Sequence, residues 1–183
     1  MANSFSADWA AGDVLTATEL NKVGLVKIAE ISGAATNYDF ASITSGFWGL
    51  LCVGEIRSDQ AALVSSYVRF NNDGAANYDH GAGSGTFGAT QIVLHSQNLA
   101  QSDANADVFS PFWLLVMNYK NTAHFKECLM LAGGLAYDGA TGGDTQHRIG
   151  QWKSTAAIDR LNISASAGGF AAESVAVLYG VNN

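Results

Sequence analysis

The sequence predicts an all-β fold, an antiparallel two-sheet sandwich of the jelly-roll type, with a short N-terminal helix. From Leu25 onward, short apolar and aromatic segments recur at fairly regular intervals. Clusters of Gly, Asn, Asp and Ser separate these segments, and Asn and Gly readily adopt the positive φ that tight turns need. The segments number about eight to ten, which in one domain of this length favours two packed sheets over one open sheet.

The strongest helix signal lies near the N-terminus. Thr16 and Glu19 have the spacing of a capping box, in which the first residue caps the helix and the second reaches back to it. Leu15 and Leu20 occupy the two positions that pack together across such a cap. We therefore expect a helix over residues 17–23.

Gly24 is placed to end this helix, because glycine accepts the left-handed conformation common at helix C-termini. The chain is thus expected to divide into an N-terminal arm, residues 1–24, and a β-sandwich domain, residues 25–183. The length permits one compact domain that buries most of its apolar side chains.

Alternation of apolar and polar residues identifies the strands, because successive side chains of a strand point to opposite faces. Each such strand is expected to bury one face. The alternating apolar sets, in chain order, are Trp48, Leu50, Cys52 and Ile56; Val64, Val68 and Phe70; Phe125, Leu129 and Leu131; Leu161 and Ile163; and Val175, Val177 and Tyr179. Residues 112–119 are apolar on both faces, which is typical of a central strand.

Charge and hydropathy exclude several classes of function. The net charge is -7, from 9 Lys and Arg against 16 Asp and Glu, so the chain has no basic surface for a nucleic-acid backbone. The longest apolar runs are far shorter than the roughly 20 residues of a membrane-spanning helix. The N-terminus has neither the basic nor the apolar part of a secretory signal, which predicts folding in a cytoplasm. Cys52 and Cys128 are then expected to be small buried hydrophobic residues without a disulfide.

Motifs for catalysis, metals and cofactors are incomplete. Residues 83–88 match G-x-G-x-x-G, but a turn precedes them and a strand is expected after them, so they are interpreted as a loop. Residues 103–107 begin like a calcium loop, but Val108 and Leu114 stand where glycine and glutamate are needed. The histidines lack metal-ligand spacing, and the Gly-x-Ser-x-Gly elbow is absent. We expect no metal, no cofactor and no catalytic residue, although paired carboxylates that meet only in space stay open.

Aromatic residues offer the main candidates for ligand contact. Trp48 and Trp113 lie in apolar strands and are interpreted as core, whereas Trp152 is the better candidate for a surface platform that stacks on sugars. Asp79 and His80, in a glycine-rich stretch, could contact the same ligand, although a lone loop histidine is more often simply exposed.

Residues 9–21 carry a resemblance to a known family. They read Trp-Ala-Ala-Gly-Asp-Val-Leu-Thr-Ala-Thr-Glu-Leu-Asn, and this segment resembles the leader of many tailed-bacteriophage virion proteins, where it precedes a fibre, tail or decoration domain. Further short segments of likeness are Arg57-Ser58-Asp59, Val68 to Asp73, Asn77-Tyr78 and Val177 to Val181.

The resemblance implies a jelly-roll head, displayed as a homotrimer, with the leader attaching it to other virion proteins. Apolar side chains of the arm would then be the anchors. These are Phe5, Trp9, Val14, Leu15 and Leu20. The low charged fraction, 14%, also favours surface hidden between subunits, because ordinary domains carry about 25%.

Two virion positions fit this expectation: a tail fibre or receptor-binding adhesin that contacts a host surface glycan, and a capsid decoration protein or head spike. A free carbohydrate-binding module is the alternative from another class. A glycan-degrading hydrolase is a third, for which no acid and base residues can be named.

Overall fold

The computed structural model describes residues 24–62, 64–82, 91, 93–100, 102, 108–134 and 144–182. Every helix or strand in these residues is a β-strand, which confirms the predicted all-β class. The helix expected over residues 17–23 and the motifs at 83–88 and 103–107 lie outside the described residues.

The strands number eleven in the described part of the chain, slightly more than expected. Their bounds are β1 Leu25–Ser32, β2 Asn37–Phe40, β3 Gly49–Ile56, β4 Ser65–Phe70, β5 Tyr78–Ala82, β6 Leu94–Asn98, β7 Ser110–Met117, β8 Lys126–Gly134, β9 Asp144–Trp152, β10 Leu161–Ala165 and β11 Val175–Val181.

Two antiparallel sheets pack face to face. The larger has seven strands in the order β1-β11-β3-β7-β8-β9-β5, and the smaller has four in the order β2-β10-β4-β6. Strands pair in a nested way, β1 with β11, β2 with β10, β3 with β7 and β4 with β6. Successive pairs lie in alternate sheets, the first and third in the larger sheet and the second and fourth in the smaller one. This arrangement of eight strands is the jelly roll. The remaining strands, β8, β9 and β5, extend the larger sheet beyond β7.

The core lies between the sheets and is built from the inward face of each strand. Leu50, Cys52 and Ile56 of β3 are fully buried there, as the alternation predicted. So are Val68 and Phe70 of β4, and Leu161 and Ile163 of β10. Packing of these two apolar faces removes the greater part of the large side chains from water and is the main stabilising contribution.

Three predictions about which side chains point inward are wrong. Strand β7 is central, as residues 112–119 predicted, but Trp113, which was expected in the core, is half exposed on the outward face of this strand. In β8 the buried set is Lys126, Cys128 and Met130, while Phe125, Leu129 and Leu131 are exposed. In β11, Ala176 and Leu178 are the buried apolar side chains, and Val175, Val177 and Tyr179 face outward.

Lys126 shows how a charge is accommodated on the inward face of β8. Its side chain is 1% exposed, and its ammonium donates hydrogen bonds to the carbonyls of Asn121, His124 and Thr155. Burial lowers the pKa of this amine. The three carbonyls replace water as acceptors, which is the condition for burying a cation, and they tie the β7–β8 loop to the segment after β9.

Gly54 marks a close approach of β3 and β11. A Cβ at this position would lie 2.4 Å from the carbonyl oxygen of Val175 and 3.0 Å from Cα of Ala176. Both are backbone atoms in the middle of a sheet, so they cannot move aside without parting the strands.

We expect Gly54→Ala to lower the free energy of unfolding by about 1–3 kcal/mol, as overpacking does elsewhere. Urea unfolding followed by circular dichroism measures it. Gly74→Ala is the matched control, because a Cβ there meets nothing within 4 Å, and it should change stability by less than about 1 kcal/mol. Equal stability of the two variants would contradict the close approach.

Candidate functional site: the outer face of the seven-stranded sheet

The surface of the seven-stranded sheet that points away from the core is apolar, and we call it the outer face. Strand register places its side chains in rows across β11, β3, β7, β8 and β9: Val53 pairs with Trp113, and Trp113 with Leu131. In the next row Leu51 pairs with Leu115, Leu115 with Leu129, and Leu129 with Ile149. Trp113, Leu129, Leu131 and Ile149 are between 41% and 52% exposed.

Charged side chains that the register places on this face stand at its margin. Lys27 and Glu30 of the edge strand β1 form an ion pair of 2.6 Å. Glu55 lies near the end of β3, and Glu127 near the start of β8. Asp79 lies on the opposite edge strand, β5, opposite Gln151. Among the described residues, the rows between these margins hold no carboxylate, lysine or arginine.

The four-stranded sheet provides the contrast within the same protein. Its outward side chains include Asp39 of β2, Arg69 of β4, and Asn162 and Ser164 of β10, which the register places side by side. Arg160 donates to both carboxylate oxygens of Asp39, and this bond lowers the pKa of the Asp39 carboxyl. This sheet therefore follows the usual pattern of an antiparallel sheet with one solvated face, and the seven-stranded sheet does not.

A groove of about 870 Å³ lies at one end of the outer face. Its apolar lining includes Leu115, Met117 and Ile149, and Glu127 and Gln151 supply polar groups. The groove is continuous with the apolar rows, because Leu115 and Ile149 belong to both. Its size lies within the range of pockets that hold small ligands or single anchoring side chains.

The predicted attachment residues Phe5, Trp9, Val14, Leu15 and Leu20 lie outside the described residues, so their role stays a prediction. Asp79, His80 and Trp152 lie on neighbouring strands, since β5 pairs with β9 and Tyr78 stands opposite Trp152. They do not form one surface. Asp79 is half-buried and ion-paired with Lys153 at 3.1 Å, and His80 is half-buried opposite Gly150.

The interpretation of Trp152 as a surface platform is wrong. Its side chain is 2% exposed and packs among Phe70 and Tyr78, with ring centroids 5.7 and 6.4 Å away. Its indole Nε1 donates a 2.7 Å hydrogen bond to Asp73. The ring is buried because β5 pairs with the edge of β9 that β8 leaves free, so Trp152 is flanked by strands on both sides and faces the core beside Tyr78.

The interpretation of Trp48 and Trp113 as core residues is also wrong. Trp48 is 47% exposed and precedes β3, and Trp113 is 52% exposed on the outer face. Sequence reasoning therefore missed the outer face. The signal that could have found it is the run at 112–119, which is apolar on both faces, whereas segments such as 64–70 and 161–163 have one polar face.

The cysteines are buried, and the acidic side chains of the described residues form no metal-binding cluster. Cys52 and Cys128 are free and buried as predicted, and burial raises the pKa of both thiols, that of Cys128 to about 12. In the described parts of the chain, no three His, Cys, Asp or Glu side chains gather closely enough to hold a metal ion. The same residues include no helix of a length and apolarity that would span a bilayer.

Comparisons with protein-family models, with curated proteins and with solved structures find no match to this chain. The fold is therefore assigned from its strand order.

The carboxylate of Asp73 holds the turn between β4 and β5 against Trp152. It accepts hydrogen bonds from Trp152 Nε1 at 2.7 Å, Asn77 Nδ2 at 2.9 Å and the Ala75 amide at 2.9 Å. Partial burial acts to raise the pKa of this carboxyl, but the three hydrogen bonds outweigh burial and the pKa is lowered. A lowered pKa in the folded state stabilises the fold above the unfolded pKa of about 3.9, and this contribution is lost as the pH falls through the folded value.

We expect Asp73→Asn to lower the free energy of unfolding by about 1–2 kcal/mol at pH 7, because an amide cannot accept all three bonds. The difference from the unchanged protein should shrink below about pH 4. Urea titrations at pH 7 and pH 3 measure both values. Glu173→Gln, on an exposed turn, is the control and should be neutral at pH 7. A difference for Asp73→Asn that is the same at both pH values would contradict the role of the charged carboxylate.

Proposed function

We propose that this protein is a non-enzymatic structural protein of a tailed-bacteriophage virion, displayed on the particle as a homotrimer and held there by residues 1–24. The observation that carries the proposal is the leader-like segment at residues 9–21 directly before a β-sandwich that begins at Leu25. The jelly-roll strand order supports it, since this architecture is common among viral capsid and lectin domains. Fold alone does not define function, so the leader carries more weight than the sandwich.

The arm supplies the proposed attachment through Phe5, Trp9, Val14, Leu15 and Leu20. Large apolar side chains give most of the binding energy of protein interfaces when they fill pockets on a partner. The partner is another virion protein, met after synthesis in the host cytoplasm. Nucleic acid and membrane insertion play no part in this proposal.

Two positions on the particle are compatible with the proposal. A tail adhesin would bind a host surface glycan through loops at one end of the sandwich, where loops carry recognition in many sandwich folds. A capsid decoration protein or head spike would need no receptor. Both positions use the same arm and the same displayed head.

The free carbohydrate-binding module has lost its main support, because Trp152 is buried and its indole nitrogen is engaged by Asp73. For the hydrolase, the described residues suggest no acid and base pair to test. Neither alternative has an observation in its favour that the virion protein lacks.

We expect Trp9→Asp and Leu20→Asp, each in the full-length chain, to reduce the number of copies per purified particle at least tenfold, because a carboxylate would have to enter an apolar contact. Quantitative immunoblotting of gradient-purified particles measures the copies. Ser6→Asp is the matched control in the same arm and should incorporate normally. Circular dichroism should be unchanged for all three variants, and normal incorporation of Trp9→Asp and Leu20→Asp would contradict attachment through the arm.

Immunogold electron microscopy with an antibody against residues 25–183 locates the protein. Label over the whole head would identify a decoration protein or head spike, and label confined to the tail would identify a fibre or adhesin. Purified particles without label at either place would contradict the proposed function.

A further inference from the structure

We infer that the outer face of the seven-stranded sheet is where copies of this chain contact one another, with Trp113, Leu131 and Ile149 at the centre of the contact. The inference rests on one part of the proposed function, that several copies assemble, and is independent of where the particle carries them. It assigns a surface that the expectation of a trimer left unspecified.

The outer face is large enough to form the core of an interface between subunits. Five strands about 4.8 Å apart, each contributing a stretch of about five residues at 3.3 Å per residue, cover roughly 24 Å by 17 Å, or about 400 Å² in projection. A patch of this size is typical of the largest apolar patches on monomers, which are often binding sites. A stable interface needs about 800 Å² on each partner. The apolar rows would therefore supply about half of this area as the core, and the charged margin would supply the rest as the rim.

The contrast between the two sheets shows that the apolar outer face is not a general property of this chain. The outer surface of the four-stranded sheet carries Asp39, Arg69 and Asn162, although both sheets belong to one sandwich. Exposure of Trp, Leu and Ile side chains to water is unfavourable. Burial of the outer face of the seven-stranded sheet by a partner would account for the difference between the two sheets.

The distribution of charge favours a second copy as the occupant. The chain carries a net charge of -7, so most orientations of two copies oppose like charges. From β11 to β9, the two rows that contain Trp113 and Leu115 hold no carboxylate, lysine or arginine among the described residues, so two copies can meet there without this repulsion. A partner recognised through opposite charge would need charged groups in these rows. The groove beside Met117 adds a recess for an anchoring side chain of the second copy.

Light scattering on the purified full-length protein at 1–50 µM (about the range in which interfaces of this size associate) tests the inference. The unchanged protein should have the mass of a multimer. Leu131→Glu and Ile149→Glu should each weaken association at least about 100-fold, because a buried carboxylate would lack a partner. Ser164→Glu places the same charge on the outward side of the four-stranded sheet and should leave the mass unchanged. Leu131 and Ile149 are exposed in the single chain, so these substitutions should not disturb the core. Circular dichroism should confirm that the variants fold.

Site-directed cross-linking provides a second measurement that does not disturb the contact. Leu131→Cys should cross-link between copies with a short bismaleimide, whereas Ser164→Cys should not, and the native thiols are buried and should not react. A monomeric mass for the unchanged protein, together with no cross-link at position 131, would overturn the inference.

Two other occupants correspond to distinct results. A monomer in which the thiol introduced by Leu131→Cys resists a soluble maleimide would show that the chain's own residues 1–23 cover the face, and would overturn the inference. A third result is a monomeric mass with a freely reactive thiol at position 131. If antibody still labels the protein on particles, this result would overturn the subunit contact and leave the proposed function standing.

Discussion

Burial of one apolar face of each sheet against the other holds this sandwich together, and the seven-stranded sheet has a second apolar face that this burial does not reach. The nested pairing of β1 with β11 and β3 with β7 fixes which side of each strand is inside. Once Leu50, Cys52 and Leu114 fill the core, Leu51, Val53 and Trp113 must point outward, because successive side chains alternate. The outer face is thus a direct consequence of the same register that builds the core.

The fold class, the sandwich and the jelly roll could be predicted from the sequence because strand alternation and turn residues are local properties. Segments with one apolar and one polar face, such as 64–70 and 161–163, were assigned correctly. The failures in β8 and β11 have one cause. In β8 and β11 both faces are apolar or nearly so, and the alternation cannot then tell which face is inside.

Lys126 and Trp152 illustrate the part that only the tertiary structure decides. A lysine on a strand is ordinarily placed on the solvated face, but three backbone carbonyls from two separate segments surround the Lys126 ammonium. Trp152 is buried because β5, about 70 residues earlier in the chain, adds to the edge of β9. Neither contact has a local signature. The interpretation of Trp152 as a surface residue is therefore wrong, while the outer face was visible only as a run apolar on both faces.

Two regions of the protein are proposed to make contacts of different kinds. The arm, residues 1–24, is proposed to hold the protein to the particle, and the outer face to hold copies of the head to one another. Attachment through a short segment leaves the head free to project from the particle, and contact between heads would remove the exposed Trp, Leu and Ile side chains from water. The polar outer surface of the four-stranded sheet would then be the surface that the assembly presents to solvent.

A cryo-electron microscopy reconstruction of purified particles would show both the attachment of the arm and the contact between heads. We expect clustered heads, related by a threefold axis, whose seven-stranded sheets face each other through Trp113 and Leu131, each connected to the particle through its N-terminal arm. Separate heads, with the outer face of each open to solvent or covered by a different protein, would contradict it.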